Sequence, residues 1–166
     1  GLFGEMADLI KQNCQCFENL DQAIEWIESK LIAENGECQN NSEEFSPLAD
    51  QLLLKDLPNS DLETLQKNVT STEYECGSKI IQLNEKADGI YFLQSGKVSV
   101  MVGDGIYVSG LGAGTCFGEL ALIAPDATRT ANIIADTKVF CSFLSIKAFN
   151  EISLVNPSFN ELLLRN

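Results

Sequence analysis

The stretch Gly110–Ala131, GLGAGTCFGELALIAPDATRTA, decides how this chain is read. Gly110, Gly112, Gly114 and Gly118 fall within nine residues, and a compact helical segment, Glu119–Ile123, follows them. Glycines leading into a helix let backbone N–H groups converge on an anion, with the helix dipole assisting. That dipole is worth only ~0.3–1 kcal/mol, so a charged side chain should help. Arg129 is the only basic residue between Lys97 and Lys138. Its planar fork can hold two phosphate oxygens at once. Glu119 offers the complementary chemistry, because a carboxylate accepts from hydroxyls and repels phosphate. The two together fit a ligand with one anionic end and one hydroxyl end, such as a ribose phosphate. Plainer readings stay open here. The glycines can be a tight turn, Glu119 an acid in a first helical turn, and Arg129 a surface partner of Asp126 or Asp136.

On both sides of this stretch the pattern is that of short strands. Apolar runs occur at Lys79–Leu83, Ile90–Gln94, Val98–Val102, Ile106–Ser109, Ala131–Ala135 and Val139–Leu144. Gly77, Asp88-Gly89, Ser95-Gly96 and Gly103-Asp104-Gly105 punctuate them. Regular short strands with glycine turns predict a mainly β fold with flanking helices, a jelly roll or barrel of about eight strands. Ser145 reads as the cap of a helix through Val155, and Asn156-Pro157 as the start of a further turn or two. Upstream, Ser46-Pro47 predicts a short helix carrying Leu48, Leu52, Leu53 and Leu54. Ser60 and Glu63 predict a capping box for a second helix bearing Leu62, Leu65 and Val69.

Before residue 46 the character changes again. Leu20, Ala23, Ile24, Ile27 and Leu31 recur at helical spacing, with Asn19 as a candidate cap and Trp26 beside the stripe. Residues 33–45 (AENGECQNNSEEF) have a linker composition. The expected organisation is therefore a helical remnant over 1–32, a linker over 33–45 and the main domain over 46–166. The chain begins with Gly1 rather than Met and reads as a piece of a longer protein.

Composition narrows the function classes. The 166 residues are enough for one full core. A net charge of −13 disfavours nucleic acid and anionic membrane faces as direct partners. The chain has no histidine, which argues against histidine-based triads and histidine-rich metal sites. A cupin-like metalloenzyme on a similar jelly roll is disfavoured for the same reason. Neither catalytic nor metal residues are assigned, and no cofactor is expected. The six cysteines form no CxxC pair and read as reduced thiols, which suggests a cytoplasmic location. No apolar run approaches the ~20 residues that span a bilayer.

Phe117-Gly118-Glu119-Leu120-Ala121-Leu122, followed by Arg129-Thr130-Ala131, resembles the phosphate-binding cassette of cyclic-nucleotide-binding domains. That family includes the bacterial cyclic-AMP receptor protein, protein kinase regulatory subunits and cyclic-nucleotide-gated channels. The ten-residue step from Glu119 to Arg129, the glycines Gly77 and Gly96, and the run Ile90–Leu93 fit it too. The likeness covers about Phe45 to Arg165. It implies that Glu119 accepts from a ribose 2′-hydroxyl and Arg129 holds a cyclic phosphate. The Gly118, Leu120 and Ala121 region would supply backbone contacts, and Thr130 its hydroxyl and N–H. A threonine there can also bond a syn guanine, so cyclic AMP and cyclic GMP both stay open as ligands. Family members often cover the base with a long C-terminal helix. Here the chain stops soon after Phe159–Leu164, and no DNA-reading motif follows.

Phe17–Glu28 resembles the final helix of STAS domains, which precede such sensors in SulP-type anion permeases, while some bacterial glutaminases carry a similar tail. The resemblance implies a non-catalytic sensor attached to other domains of a parent protein, in the cytosolic part of a membrane protein or in a soluble one. The rival is a module of the same fold that binds no nucleotide and serves in docking or assembly. The unpaired stripe also allows a homodimer.

Overall fold

The computed structural model describes residues 45–157 without 104 and 125, residue 159, and residues 20, 21, 23, 24 and 27. Among the described residues there are eight strands: β1 (Thr70–Tyr74), β2 (Lys79–Ile81), β3 (Gly89–Ser95), β4 (Lys97–Val102), β5 (Ile106–Gly112), β6 (Cys116–Phe117), β7 (Asn132–Ala135) and β8 (Val139–Ser145). They form two four-stranded sheets, β1-β8-β3-β6 and β2-β7-β4-β5, with every pairing antiparallel. The α-helices with described bounds are α1 (Asn59–Asn68), the one-turn α2 (Leu120–Ile123) and α3 (Ile146–Val155). The architecture is the expected one, mainly β in jelly-roll form with helices at its flank.

The run Ile90-Tyr91-Phe92-Leu93 occupies β3, the strand with two buried faces. Alternate side chains leave a strand on opposite sides. Ile90 and Phe92 pack outward with Leu144 against Leu54, Leu65, Phe149, Ile152 and Phe159. Leu93 turns inward and joins Val98, Phe117, Ile133, Ala135, Val139 and Cys141 between the two sheets. One apolar run therefore serves two cores. Gly96 makes the β3–β4 turn at φ +88°, and a Cβ there would strike the Lys138 carbonyl. Only glycine fits that corner.

The six expected apolar runs each contain a strand, but two strands had no such signal. β1 is the edge sequence TSTEY, exposed at its first four positions, so no apolar face marks it. β6 is only two residues long and lies inside the glycine-rich stretch. The expected helix after Pro47 is instead two 3₁₀ turns, Leu48–Asp50 and Leu52–Leu54. Gln51 separates them in an extended conformation, buried with its amide donating to the Leu93 carbonyl at 3.0 Å. The capping box is also corrected. α1 begins after Pro58 with no side-chain cap, and the Ser60 hydroxyl contacts Asp61 instead. Val69 lies past the helix in extended backbone. Ser145 does cap α3, accepting from the Ala148 N–H at 3.1 Å.

In the N-terminal segment Leu20, Ile24 and Ile27 are helical and exposed. Asn19, Trp26, Leu31 and the linker through Glu44 lie outside the described residues. So do the residues after Phe159.

Phe92 is fully buried where the outward face of β3 meets the helices. Phe92→Ala is expected to lower unfolding free energy by ~3–5 kcal/mol in urea titrations, the range for emptying a core aromatic site.

Candidate functional site

The glycine-rich stretch folds into a strand, a tight turn and one helical turn. β6 ends at Phe117, Gly118 takes φ +83°, and α2 follows. The chain then returns beside the loop before β3. The Ala87 N–H donates to the Ala127 carbonyl, the Arg129 N–H to the Glu85 carbonyl, and the Asn84 N–H to the Arg129 carbonyl. A cleft of about 270 Å³ opens between this hairpin-like return and the faces of β4 and β5.

Seven of the eight residues expected at the site line this cleft: Phe117, Gly118, Glu119, Leu120, Arg129, Thr130 and Ala131. Ala121 does not. It is buried, and its N–H donates to the Gly118 carbonyl at 3.2 Å. The remaining wall is largely apolar, with Ile81, Val100, Leu111 and Ile133 facing the cassette, and Cys116 and Thr128 joining it. Burial, aided by the charge of Glu119, pushes the Cys116 thiol up to about 11, so it stays protonated at ordinary pH.

Arg129 is only 6% exposed. A buried guanidinium needs acceptors around its edge. Here Nη2 donates to Asp88 Oδ1 at 2.7 Å and to the Gly89 carbonyl at 2.9 Å, and Nη1 donates to the Gly118 carbonyl at 3.1 Å. The sequence offered Asp126 or Asp136 as partners, and the structure gives neither. Asp126 pairs with Lys86 at 3.1 Å on the surface. Asp136 accepts from the Ser99 hydroxyl at 2.7 Å. Of the five donors on a guanidinium, these three bonds leave Nε and one Nη1 proton without a partner among the described residues.

Glu119 is exposed on the cleft wall, and its carboxylate has no partner among the described residues. It makes no capping bond to α2, so the plainer reading as a helix-start acid has no bond behind it. The cleft thus combines one buried cation, one uncommitted carboxylate, the exposed threonines Thr128 and Thr130, and an apolar wall.

Sequence reasoning missed Asp88 and Gly89. They stand 41 and 40 residues from Arg129, and no local spacing links them to it. It also missed the opposite wall, where Val100 read only as a strand residue and Leu111 only as part of the glycine-rich stretch. Among the described residues no group of histidine, cysteine, aspartate or glutamate side chains is placed to hold a metal, and no helix is long and apolar enough to cross a membrane.

The family model for the cyclic nucleotide-binding domain matches residues 71–155, from β1 to the end of α3. The chain belongs to this family. Glutaminase 2 of Bradyrhizobium diazoefficiens is 34% identical over 150 residues, covering 90% of this chain and 24% of its own length. The type II regulatory subunit of cAMP-dependent protein kinase from Drosophila melanogaster is 36% identical over 104 residues, covering 60% of this chain and 27% of its own. A solved structure is also similar, a triple mutant of the regulatory subunit of a cAMP-independent protein kinase A from Trypanosoma brucei, bound to cAMP in the A site. It is 28% identical with a TM-score of 0.58, covering 63% of this chain and 40% of that one. The chain spans about a quarter of the length of the curated relatives it matches.

Within this cyclic nucleotide-binding domain, Gly118 has no room for a side chain beside the arginine. A Cβ on it would lie 2.5 Å from Arg129 Nη1 and 3.2 Å from the Gly89 carbonyl. Gly118→Ala therefore meets both a positive φ and a clash, and a cost of ~1–3 kcal/mol in chemical denaturation is expected.

Proposed function

We infer that this chain is a cyclic-nucleotide sensor, a non-catalytic module that regulates the larger protein carrying it. The observation behind this is that a buried, partly uncommitted Arg129 and an unpaired Glu119 line one small cleft together. Arg129 takes the cyclic phosphate, using Nε and the spare Nη1 proton. Glu119 accepts from the ribose 2′-hydroxyl. The turn at Phe117-Gly118 and the start of α2 at Leu120 bring backbone to the phosphate, and Thr130 adds its hydroxyl. Ala121 has its N–H committed to Gly118, so its part is to hold the turn. Ala131 and the apolar wall flank the base. At about 270 Å³ the cleft lies at the small end of ligand pockets, which suits a mononucleotide.

The rival is a member of the fold that binds no nucleotide. The Trypanosoma brucei subunit is described as cAMP-independent, and its cAMP-bound form carries three substitutions, one of which introduces an arginine. This chain already has Arg129 and Glu119 in the cleft, which favours binding. For the parent, the two candidates are a glutaminase-like protein and a SulP-type transporter with a STAS domain. A match of 150 residues in a chain of 166 must include part of the segment before residue 45. That shared segment favours the glutaminase-like parent, with residues 1–32 as the end of its preceding domain and the cytoplasm as its location. Ligand binding acts on that domain by preferring one arrangement of the flanking helices over another. The exposed Leu20, Ile24 and Ile27 would meet the preceding domain or a second copy.

Calorimetry on this chain is expected to give 1:1 binding of cyclic AMP or cyclic GMP. Arg129→Ala should weaken it by ~2–5 kcal/mol, the usual loss on truncating one partner of a buried charge pair. Equal affinity in wild type and variant rules out the phosphate role. Glu119→Gln should cost less, and a 2′-deoxy ligand should make it equivalent to wild type.

The apolar wall carries little to read a base edge, so weak discrimination between the purines is expected. Thr130→Ala should lower cyclic GMP affinity more than cyclic AMP affinity. An equal fall for both would confine Thr130 to the phosphate.

A further inference from the structure

The hydrogen bonds to Arg129 all lie along the edge of its guanidinium, because that group donates only in its own plane. Its flat faces cannot be satisfied in this way, yet the side chain is only 6% exposed. Arg129 Cζ lies over the Tyr91 ring, 5.9 Å from its centroid. That is within the range at which an aromatic quadrupole attracts a cation.

Tyr91 is itself held by the strands on either side of β3. It is in register with Phe117 on β6 and Phe143 on β8, so the three rings share one face. Tyr91 stacks on Phe117 at 5.2 Å with 9° between planes, and meets Phe143 at 4.6 Å and 41°. Burial pushes the Tyr91 phenol well above its ordinary range, so the ring stays neutral under the cation at ordinary pH. Three residues upstream on the same strand or its approach, Asp88 supplies the carboxylate to Arg129, and Gly89 supplies a carbonyl. Phe117 directly precedes Gly118, which supplies the other carbonyl. One ring therefore touches both the arginine and the turn that must face the same ligand, without lining the cleft itself.

We propose that Tyr91 is a positioning residue for Arg129, fixing the plane of the guanidinium so that its spare donors point into the cleft. Its consequence for binding rests on the cyclic-nucleotide reading above. Its effect on the arginine does not.

The test uses the whole chain with Tyr91→Phe, Tyr91→Leu and Tyr91→Met, the last filling the space without a π face. The Arg129 Nε–Hε signal, identified by its loss in Arg129→Lys, is followed by NMR without ligand. Tyr91→Phe should leave it unchanged, while Tyr91→Leu and Tyr91→Met should speed its exchange with water by about fivefold or more. In calorimetry the same two variants should lose about five- to thirtyfold in cyclic AMP affinity and keep their affinity for adenosine, which lacks the phosphate. An unchanged Hε signal in the folded variants overturns the proposal. An equal loss for adenosine also overturns it, by showing general damage to the packing. A wild-type chain that binds no cyclic nucleotide overturns the reading of the cleft instead, and the ligand-free signal still decides the part played by Tyr91.

Discussion

A guanidinium buried inside a β barrel is the constraint around which this domain is arranged. Leaving such a charge unpaired in an apolar interior costs several kcal/mol or more. The fold meets that demand with acceptors at the ends of two separate strands. Asp88 and Gly89 come from the start of β3, and Gly118 comes from the turn after β6. Because β3 and β6 are paired, satisfying the arginine and pairing the strands are one geometric problem. The cassette cannot shift without disturbing both.

The same constraint explains the residue types around the arginine. Gly118 must lack a side chain because Nη1 occupies the space where a Cβ would go. Gly89 is pressed equally hard from the other side, where a Cβ would meet the Leu144 carbonyl and the Phe143 ring. The two glycines let backbone carbonyls reach the guanidinium directly. Asp88 is largely exposed, so its attraction to Arg129 is softened by water. The arginine is thus anchored but not fully neutralised.

The outer side of the same sheet carries the connection to the rest of the chain. Ile90 and Phe92 leave β3 opposite to Tyr91 and Leu93 and bury against α1, α3 and Phe159. The Asn156 amide donates to Asp61 at 2.7 Å, tying the end of α3 to α1. The 3₁₀ segment is held from below as well, with the Leu52 N–H donating to the Gly114 carbonyl just before β6. Strand β3 is therefore shared between the ligand side and the helix side.

Much of this was legible in the sequence because it depends on local rules. Short apolar runs separated by glycines specified the sheets, a serine before an apolar helix specified the α3 cap, and Gly-Glu-Leu-Ala with Arg-Thr-Ala at fixed spacing marked the cassette. Seven of its eight named residues share the cleft. Signals failed where a strand had no apolar face, as in TSTEY, or was too short to show a period, as in Cys116–Phe117. They failed again at Pro47 and Ser60, where buried Gln51 bonding to β3 and a start after Pro58 replaced the helix and cap that local composition favoured. The sequence by itself determined the fold class and which residues gather at the cleft on the cassette side, since periodicity, turn residues and a short motif act over a few positions. Tertiary structure alone decided which carboxylate faces Arg129, which ring lies under it and which strands form the opposite wall. Those contacts join residues some forty positions apart, and only the closing of the sheets brings them together.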